Sequence, residues 1–333
     1  MKYLSRTLTL LLATSLCGPL QAAPELLVYS TKNASYLTPL LDRYSAETGT
    51  PVGYLVEPAS ALIARLEAEG EQSKADLLLT TGAASLWLAT QKGLTAAVDS
   101  STLTNNVPEH LRAPDNYWFG FSKRTQTLIY NSTTLDKSEL KGFTDLADPK
   151  WDGSLCLRTS QQPYTQALVA MMINRDGEQK TLATLQGWVN NLAVRPFAED
   201  AQMFPALEQN LCEVSIVNSY YFARYKHDHP DTPLKLFWAD QDSSGVHVDI
   251  TGAAVTAHAP NKAGATDLLE WLTLKETQAQ YAKLSLEYPV NKKVYPARQI
   301  GRRGQFIEDQ HNVAASGQFR EQAVVLLKQA GYR

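Results

Sequence analysis

The sequence predicts an α/β protein of two lobes, each built on a doubly wound mixed sheet with helices on both faces, joined by hinge strands. Its 333 residues are enough for two domains that each have a hydrophobic core. Strand and helix patterns alternate up to about residue 130 and again from about residue 150. No repeat or low-complexity linker separates the two alternations, which indicates adjoining lobes that close on a ligand by a hinge motion.

The first lobe opens with three strand–helix pairs. Its first helix places Leu37, Leu40, Leu41 and Tyr44 on one face and is expected to end at Gly49, because glycine favours the left-handed conformation at helix ends. The βαβαβ order predicts a mainly parallel sheet. The strands are LLVYS, PVGYLV and ADLLLTT, and the two later helices are SALIARLEAEG and ASLWLATQKG.

The middle and the end of the chain complete the two lobes. Two strands, WFGFS and TLIYN, are predicted on either side of the basic pair Lys123 and Arg124. In the second alternation GSLCLRT and EVSIVN each lead into a helix, and GVHVDITGAAVTAH is a strand that returns the chain to the first lobe. The first lobe is therefore placed at residues 23–125 plus 248–295, and the second at residues 126–247 plus 296–333. Later helices are NKAGATDLLEWLTLKETQAQYAKL and REQAVVLLKQAGYR.

The first 22 residues have the pattern of a secretory signal peptide. Lys2 and Arg6 precede an apolar run at residues 8–16, small residues follow, and the run is too short to span a bilayer. Cleavage after Ala22 is expected, so the mature chain is exported to the periplasm. Lipid attachment at Cys17 is an alternative, although Leu16 before it fits a lipoprotein cleavage site poorly.

The charge of the mature chain indicates which partners are not expected. Loss of Lys2 and Arg6 changes the net charge from −3 to −5. This acidic balance argues against nucleic acid as a partner and against a polybasic membrane-binding patch. After residue 23 the sequence shows no segment that would insert into a membrane.

Two cysteines, Cys156 and Cys212, remain after removal of the signal peptide. An even pair in an oxidising compartment favours one disulfide. Both cysteines lie in or just before apolar, strand-like runs, so the bond would join neighbouring strands. Two buried free thiols are the alternative.

Tyr220 and Tyr221 are adjacent at the start of the helix SYYFARYKHDH. Neighbouring side chains of a strand point to opposite faces, but at a helix start they are about 100° apart and both can face one cleft. Asn218 and Ser219 are favourable N-cap residues. The free N–H groups of such a helix start favour a phenolate or a bound anion.

Tyr164 has a similar context, with Ser160 predicted as the N-cap of the helix that carries it. Ligands of doubly wound sheets bind beyond the carboxyl ends of the strands, so three phenols are expected to converge there. A hard trivalent cation displaces phenol protons and binds the anionic oxygens, and Fe(III) is such a cation. Softer metals would require Cys or His clusters, and His227 and His229 fit a solvated helix end instead. Simple packing is the alternative, since the chain has 15 tyrosines.

The segment CEVSIVNSYYFAR resembles a segment of periplasmic ferric-ion-binding proteins, the substrate-binding components of iron(III) ABC importers. LLVYSTKNASYLTPLLDRYSAETGTPV, WFGFSKRTQTLIYN, HVDITGAAVTAHAPNK and EYPVN are similar to other segments of that family, so the resemblance covers nearly the whole mature chain. It implies the bilobal periplasmic-binding-protein fold, a monomer without enzymatic activity, and delivery of Fe(III) to an inner-membrane ABC permease and its ATPase.

Carried over by position, the resemblance implies two groups of site residues. The expected iron ligands are Tyr164, Tyr220 and Tyr221. A synergistic anion, carbonate or phosphate, is expected near the two helix starts. The residues implied for that anion are Ser160, Gln161, Gln162, Asn218 and Arg124.

The chain departs from the family pattern on the side of the first lobe. Relatives often supply a histidine, tyrosine or acidic ligand from that lobe, whereas the corresponding positions hold Asn33, Ala34, Thr81 and Gly82. Tyr36 is near but is expected to be out of register on its helix. All protein ligands are therefore expected from the second lobe, with an anion, water or an exogenous chelator on the other side.

Two other functions remain open from the sequence. The same fold would suit a small organic anion, such as a phosphonate or carboxylate, held by Ser160, Arg124 and the helix starts, with the tyrosines stacking or donating hydrogen bonds. An exported enzyme is less favoured, because the sequence shows no nucleophile–base pairing, phosphate loop or HExxH-type motif.

Overall fold

The computed structural model describes residues 25–301 and 304–333, so the predicted signal peptide lies outside the described residues. In these two ranges no helix has the length and apolar character needed to cross a membrane. The strands are β1 Leu26–Ser30, β2 Val52–Val56, β3 Leu77–Thr81, β4 Phe119–Asn131, β5 Leu155–Cys156, β6 Val214–Asn218, β7 Leu234–Phe237, β8 Val248–Val255 and β9 Tyr288–Pro289.

Helices surround the strands, and the shortest of them are single turns. They are α1 Ala34–Thr48, α2 Ala59–Glu69, α3 Ala83–Gln91, α4 Ser101–Asn106, α5 Pro163–Asp176, α6 Glu178–Asn190, α7 Asp200–Glu208, α8 Ser219–Asp228, α9 Lys262–Thr273, α10 Lys275–Ser285, α11 Arg298–Gly301, α12 Ala315–Gln318 and α13 Arg320–Gln329.

The strands form one mixed sheet in the order β2-β1-β3-β8-β4-β6-β5, with β7 and β9 also paired to β4. Strands β1, β2 and β3 are parallel, whereas β8 is antiparallel to both β3 and β4. The predicted α/β class is confirmed. The sheet is continuous because β4 pairs with β8 and β9 through its first half and with β6 and β7 through its second half.

The prediction of two strands separated by Lys123 and Arg124 is wrong, since β4 runs through both residues without a break. The Arg124 guanidinium remains within the strand because it is paired with Asp249 of β8, with 3.2 Å between Nη2 and Oδ2. Lys123 is paired with Glu308. Local charge therefore does not end a strand whose neighbours supply opposite charges.

Two large hydrophobic cores lie along this sheet. One is built on β1, β3, the start of β4 and β8, and the other on the second half of β4 with α5, α6 and α13. Val313 and Ala314 pack in the first core, although the predicted boundary assigns them to the second lobe. The lobe boundaries themselves stay a prediction.

Helix α1 shows how directly the apolar pattern determines the fold. Its buried residues are Leu37, Leu40, Leu41 and Tyr44, the four that the sequence places on one face. It ends before Gly49, whose φ of 74° lies in the left-handed region that glycine adopts at little cost. The α1 prediction is confirmed.

The predicted disulfide is present between Cys156 of β5 and Cys212, which precedes β6. Their Cα atoms are 5.7 Å apart, and both residues are buried. Because β5 and β6 are parallel neighbours, the bond fixes the two strands that lead towards Tyr164 and Tyr220.

Glu308 connects β4 to the segment that contains His110. Its carboxylate contacts Lys123 of β4 and His110, and its backbone forms a bridge to Val246. Burial raises the pKa of this carboxyl, but the His110 hydrogen bond and the Lys123 charge outweigh burial and lower it from 4.5 to about 2. The ionised carboxylate of Glu308 therefore stabilises the contacts between these segments.

We expect Glu308→Gln to lower the free energy of unfolding at neutral pH by up to about 3 kcal/mol. The folded pKa is depressed, so the stabilisation is complete above about pH 4.5 and is lost as the pH falls towards 2. Urea unfolding across this range should show a shallower loss of stability in the variant than in the wild type. If the free energy of unfolding fell equally with pH in the variant and in the wild type, this acid dependence would not come from Glu308.

Candidate metal-binding site

A cleft of about 490 Å³ opens between the two halves of the molecule. On one side its wall comes from the starts of α2 and α3, including Thr81 and Gly82. On the other side the starts of α5 and α8 contribute Tyr164, Tyr220 and Tyr221. The three tyrosines predicted to converge from separate sequence segments therefore line one cleft.

The adjacent tyrosines lie at the start of α8 as predicted. Asn218 ends β6 and is the N-cap of α8, which begins at Ser219. The rings of Tyr220 and Tyr221 are tilted by 37° with their centroids 4.2 Å apart. The change from strand to helix between Asn218 and Tyr220 is what lets both rings face the same side.

The phenol of Tyr220 is protonated at neutral pH. Burial raises the pKa of its phenol well above 10, the neighbouring Tyr221 raises it further, and the Arg124 charge opposes this increase. A cation in the cleft would reverse the balance, because a positive charge next to the oxygen favours the phenolate.

Arg124 is held next to the tyrosine pair by Asp249. Besides accepting from Arg124, Asp249 accepts a hydrogen bond through Oδ1 from the backbone N of Ala83 at the start of α3, at 3.0 Å. The Nε of Arg124 is buried without a hydrogen-bond partner among the described residues. The guanidinium of Arg124 thus has one unused donor close to the cleft.

Gly82 precedes α3 with a φ of 114°, a conformation that only glycine adopts readily.

The start of α5 differs from the prediction. Its N-cap is Gln162, with Pro163 in the first turn, so the prediction of Ser160 as N-cap is wrong. Proline is favoured at the first helical position because it has no N–H group to satisfy there, and its ring disfavours a helical residue directly before it. The Nε2 of Gln126 donates to the backbone O of Tyr164 at 2.7 Å and ties this helix start to β4.

Tyr164, which is half-buried, is hydrogen-bonded to the buried pair of Arg158 and Asp200. Its hydroxyl donates to Oδ1 of Asp200 at 2.5 Å and accepts from Nε of Arg158 at 3.1 Å. Arg158 and Asp200 form an ion pair at 3.0 Å. Burial and then the Asp200 charge raise the pKa of Tyr164 strongly, and Arg158 only partly opposes this. The phenol is oriented but firmly protonated.

The residues predicted for an anion are only partly brought together. Arg124 and Gln162 line the cleft with the tyrosines. Ser160 and Gln161 line a separate surface pocket near the C-terminus, where the backbone N of Ser160 donates to the carbonyl of Arg333. Asn218 is buried at the junction of β6 and α8.

Asp200, Arg158 and Asp249 are cleft-lining residues that sequence reasoning missed. Arg158 lies in the predicted strand GSLCLRT, and a charged residue at the end of such a run was a usable signal. Asp200 is 42 residues further along the chain, and no local pattern connects the two.

Two residues at the start of α1, Asn33 and Tyr36, have contacts of their own. Asn33 caps α1 by accepting a hydrogen bond from the backbone N of Ser35. Tyr36 does not line the cleft, and its ring lies 5.3 Å from both the Lys32 amine and the Arg224 guanidinium. In the part of the chain that the structure describes, no three His, Cys, Asp or Glu side chains form a metal-binding group.

The chain is similar to proteins of one family. The family model for bacterial extracellular solute-binding proteins matches residues 40–308. Iron uptake protein A1 of Synechocystis sp. is 33% identical over 334 residues, covering 96% of this chain and 93% of that protein. The Fe(3+)-binding periplasmic protein of Serratia marcescens is 25% identical over 256 residues, covering 76% and 75%.

Solved structures show the same similarity in three dimensions. A structure of the Trichodesmium protein FutA (IdiA), in complex with iron and citrate, superposes with a TM-score of 0.89 at 33% identity. The match covers 92% of this chain and 99% of that one.

Proposed function

Because the chain belongs to the bacterial extracellular solute-binding protein family, we propose that it captures Fe(III) in the periplasm and delivers it to an inner-membrane ABC permease and its ATPase. The observation that carries the proposal is that Tyr164, Tyr220 and Tyr221 line one cleft. Relatives named for iron uptake or Fe(3+) binding support the same cargo, and a transport role rather than catalysis.

The chemistry of the ligand set favours a hard trivalent ion. Three phenolates would neutralise the 3+ charge of Fe(III), and anionic oxygen is the donor that such ions prefer. Each phenol must lose its proton on binding, as metal ligands generally do. Tyr220 and Tyr221 are the primary ligands in this proposal. Tyr164 joins them once its proton has been transferred to Asp200 along their hydrogen bond.

An anion or a chelator completes the iron shell in this proposal. Arg124 and Gln162 line the cleft, and the unused Nε donor of Arg124 suits an anionic oxygen. Carbonate and phosphate are the candidates that the family resemblance implies. The size of the cleft also admits a larger chelator, and the Trichodesmium structure contains citrate together with iron.

In this proposal two lobes close around the iron. The first lobe is residues 23–125 plus 248–295, and the second is residues 126–247 plus 296–333. β4 runs from the first hydrophobic core into the second, and β8 pairs with its first half, so the hinge in this proposal lies in β4 and in the segment that enters β8. Release would follow reduction of the iron or protonation of its phenolate ligands, since either change weakens binding by anionic oxygen.

Titration of the purified protein with ferric citrate should produce a visible charge-transfer band from phenolate–Fe(III) bonds. Citrate without iron should produce no band, and Ga(III), which has no such transition, should compete for the site. A thermal shift with citrate, phosphonates or other carboxylates but no visible band with iron would instead support the organic-anion function. In that case Arg124 rather than the tyrosines would determine binding.

A further inference from the structure

A pair of cation–π contacts connects Tyr220 to α1, a helix that packs in the first hydrophobic core. Arg224 follows Tyr220 by one turn of α8, and its guanidinium carbon lies over the Tyr220 ring, 5.1 Å from the centroid. The same carbon lies over the ring of Tyr36 on α1, 5.3 Å from that centroid. Both distances are within the range of a cation–π contact. These three residues, called the Tyr36 stack below, therefore join α8 to α1.

Tyr36 is also in contact with a buried ion pair of the first core. The Lys32 amine lies over the Tyr36 ring, 5.3 Å from the centroid, and is paired with Glu287 at 2.5 Å. Glu287 is buried and accepts hydrogen bonds from the hydroxyls of Ser122 in β4 and Thr251 in β8. The position of the Tyr36 ring is therefore fixed by two central strands as well as by its own helix.

Arg224 depends on the two rings for its position. Within the described residues its guanidinium has one long hydrogen bond, from Nη2 to the carbonyl O of Ser285 at 3.5 Å. No carboxylate in that part of the chain forms an ion pair with it. Removal of the Tyr36 ring would therefore release the guanidinium that packs on Tyr220.

We propose that Tyr36 is a positioning residue for the iron site and acts on Tyr220 through Arg224. This inference rests on the proposed capture of Fe(III). Tyr36 does not line the cleft, so it contributes its ring and not an oxygen ligand. α1 belongs to the first lobe of the proposal and α8 to the second, so the Tyr36 stack forms when the lobes close. The first lobe thus supports iron binding without supplying a ligand.

The test is the iron affinity of variants, measured by competition with citrate and followed at the visible band. Tyr36→Leu removes the ring and should weaken binding by about two- to thirtyfold, the range expected for one cation–π contact. Tyr36→Phe keeps the ring and should bind iron as the wild type does. Arg224→Gln should weaken binding at least as much as Tyr36→Leu. Tyr36→Leu should cause no further loss when it is added to Arg224→Gln, because both changes remove the same contact.

The wavelength of the band is a second readout, which a merely structural role of Tyr36 would not change. The positive charge of Arg224 lowers the energy of the electrons on the Tyr220 oxygen, so their transfer to iron requires more energy. Tyr36→Leu and Arg224→Gln should therefore shift the band to longer wavelength. Tyr36→Phe should leave the band where it is in the wild type.

Tyr54→Leu is the matched control, because it removes a tyrosine from the same lobe but away from the site. Tyr54 lies on β2, is 37% exposed, has its hydroxyl 2.6 Å from that of Thr38 and does not line the cleft. This variant should match the wild type in affinity and in wavelength. An equal loss in Tyr54→Leu and Tyr36→Leu would show a non-specific effect and overturn the inference.

Two other results would also overturn the role of the Tyr36 stack. Wild-type affinity and wavelength in Tyr36→Leu would show that the ring does not act on Tyr220. Equal losses in Tyr36→Phe and Tyr36→Leu would assign the effect to the hydroxyl. A wild type without a visible band would instead contradict Fe(III) capture itself, and this inference with it. A normal wild-type band with an unchanged Tyr36→Leu variant would contradict only this inference.

Discussion

Replacement of Tyr220 and Tyr221 together by phenylalanine is expected to abolish the visible iron band and to lower iron affinity by more than 100-fold. Residues that only support a metal ligand typically cost 10–100-fold when changed, so loss of two direct ligands should exceed about 100-fold. The rings are retained, and the tilted packing between them at 4.2 Å requires no hydroxyl. The variant should therefore fold normally and fail only in binding.

Tyr225→Phe is the matched control for this variant. Tyr225 lies on the same helix, but its ring stacks on Phe204 and His229 and does not line the cleft. It removes one phenol from α8 and should leave the iron band unchanged. A band that persists in the Tyr220→Phe/Tyr221→Phe variant would show that the cleft binds iron through other groups, or that iron binds elsewhere.

The two single variants, Tyr220→Phe and Tyr221→Phe, would then separate the roles of the pair. Burial raises the pKa of Tyr220, so much of the free energy gained when its oxygen binds iron is used to remove the phenol proton. Arg124 lies close enough to lower that cost, and Arg124→Met should therefore weaken iron binding even if no anion takes part. If the loss of iron affinity in Arg124→Met disappears when the pH is raised, Arg124 acts by easing deprotonation of Tyr220.

The positions of Tyr220 and Tyr221 were predictable because the signals for them are local. A strand that ends in Asn218 and continues as a helix determines where Tyr220 and Tyr221 point. The apolar face of α1 and the glycine after it were predictable for the same reason. In each case neighbours within one turn of the chain decide the conformation.

The errors in the sequence prediction come from distant partners. β4 continues through Lys123 and Arg124 because Glu308 and Asp249 supply the opposite charges, and both are more than 100 residues away. Asp200, which holds Tyr164, was missed for the same reason. Ser160 was preferred as N-cap by residue type, although the proline at position 163 determines where α5 begins.

The second large effect is expected at Asp200. Asp200→Ala should lower the free energy of unfolding by about 3 kcal/mol, because removal of one partner leaves the other charge of a buried pair uncompensated. Arg158 would keep its hydrogen bonds to the carbonyls of Phe197 and Ala198, which limits the loss to the lower end of the range. Urea unfolding at neutral pH measures this change. Glu67→Ala, in an exposed pair with Lys92, is the control and should have little effect.

A double-mutant cycle then decides what the buried pair does for the site. If Asp200 only balances the charge of Arg158, Arg158→Met/Asp200→Ala should recover much of the stability lost in Asp200→Ala, and iron binding should follow stability. If Asp200 also orients Tyr164, iron affinity should stay low in the double variant after stability is recovered. The 2.5 Å hydrogen bond between Asp200 and the Tyr164 hydroxyl favours the second outcome. Tyr164→Phe should then weaken iron binding to a similar extent, with no additional loss when it is combined with Asp200→Ala.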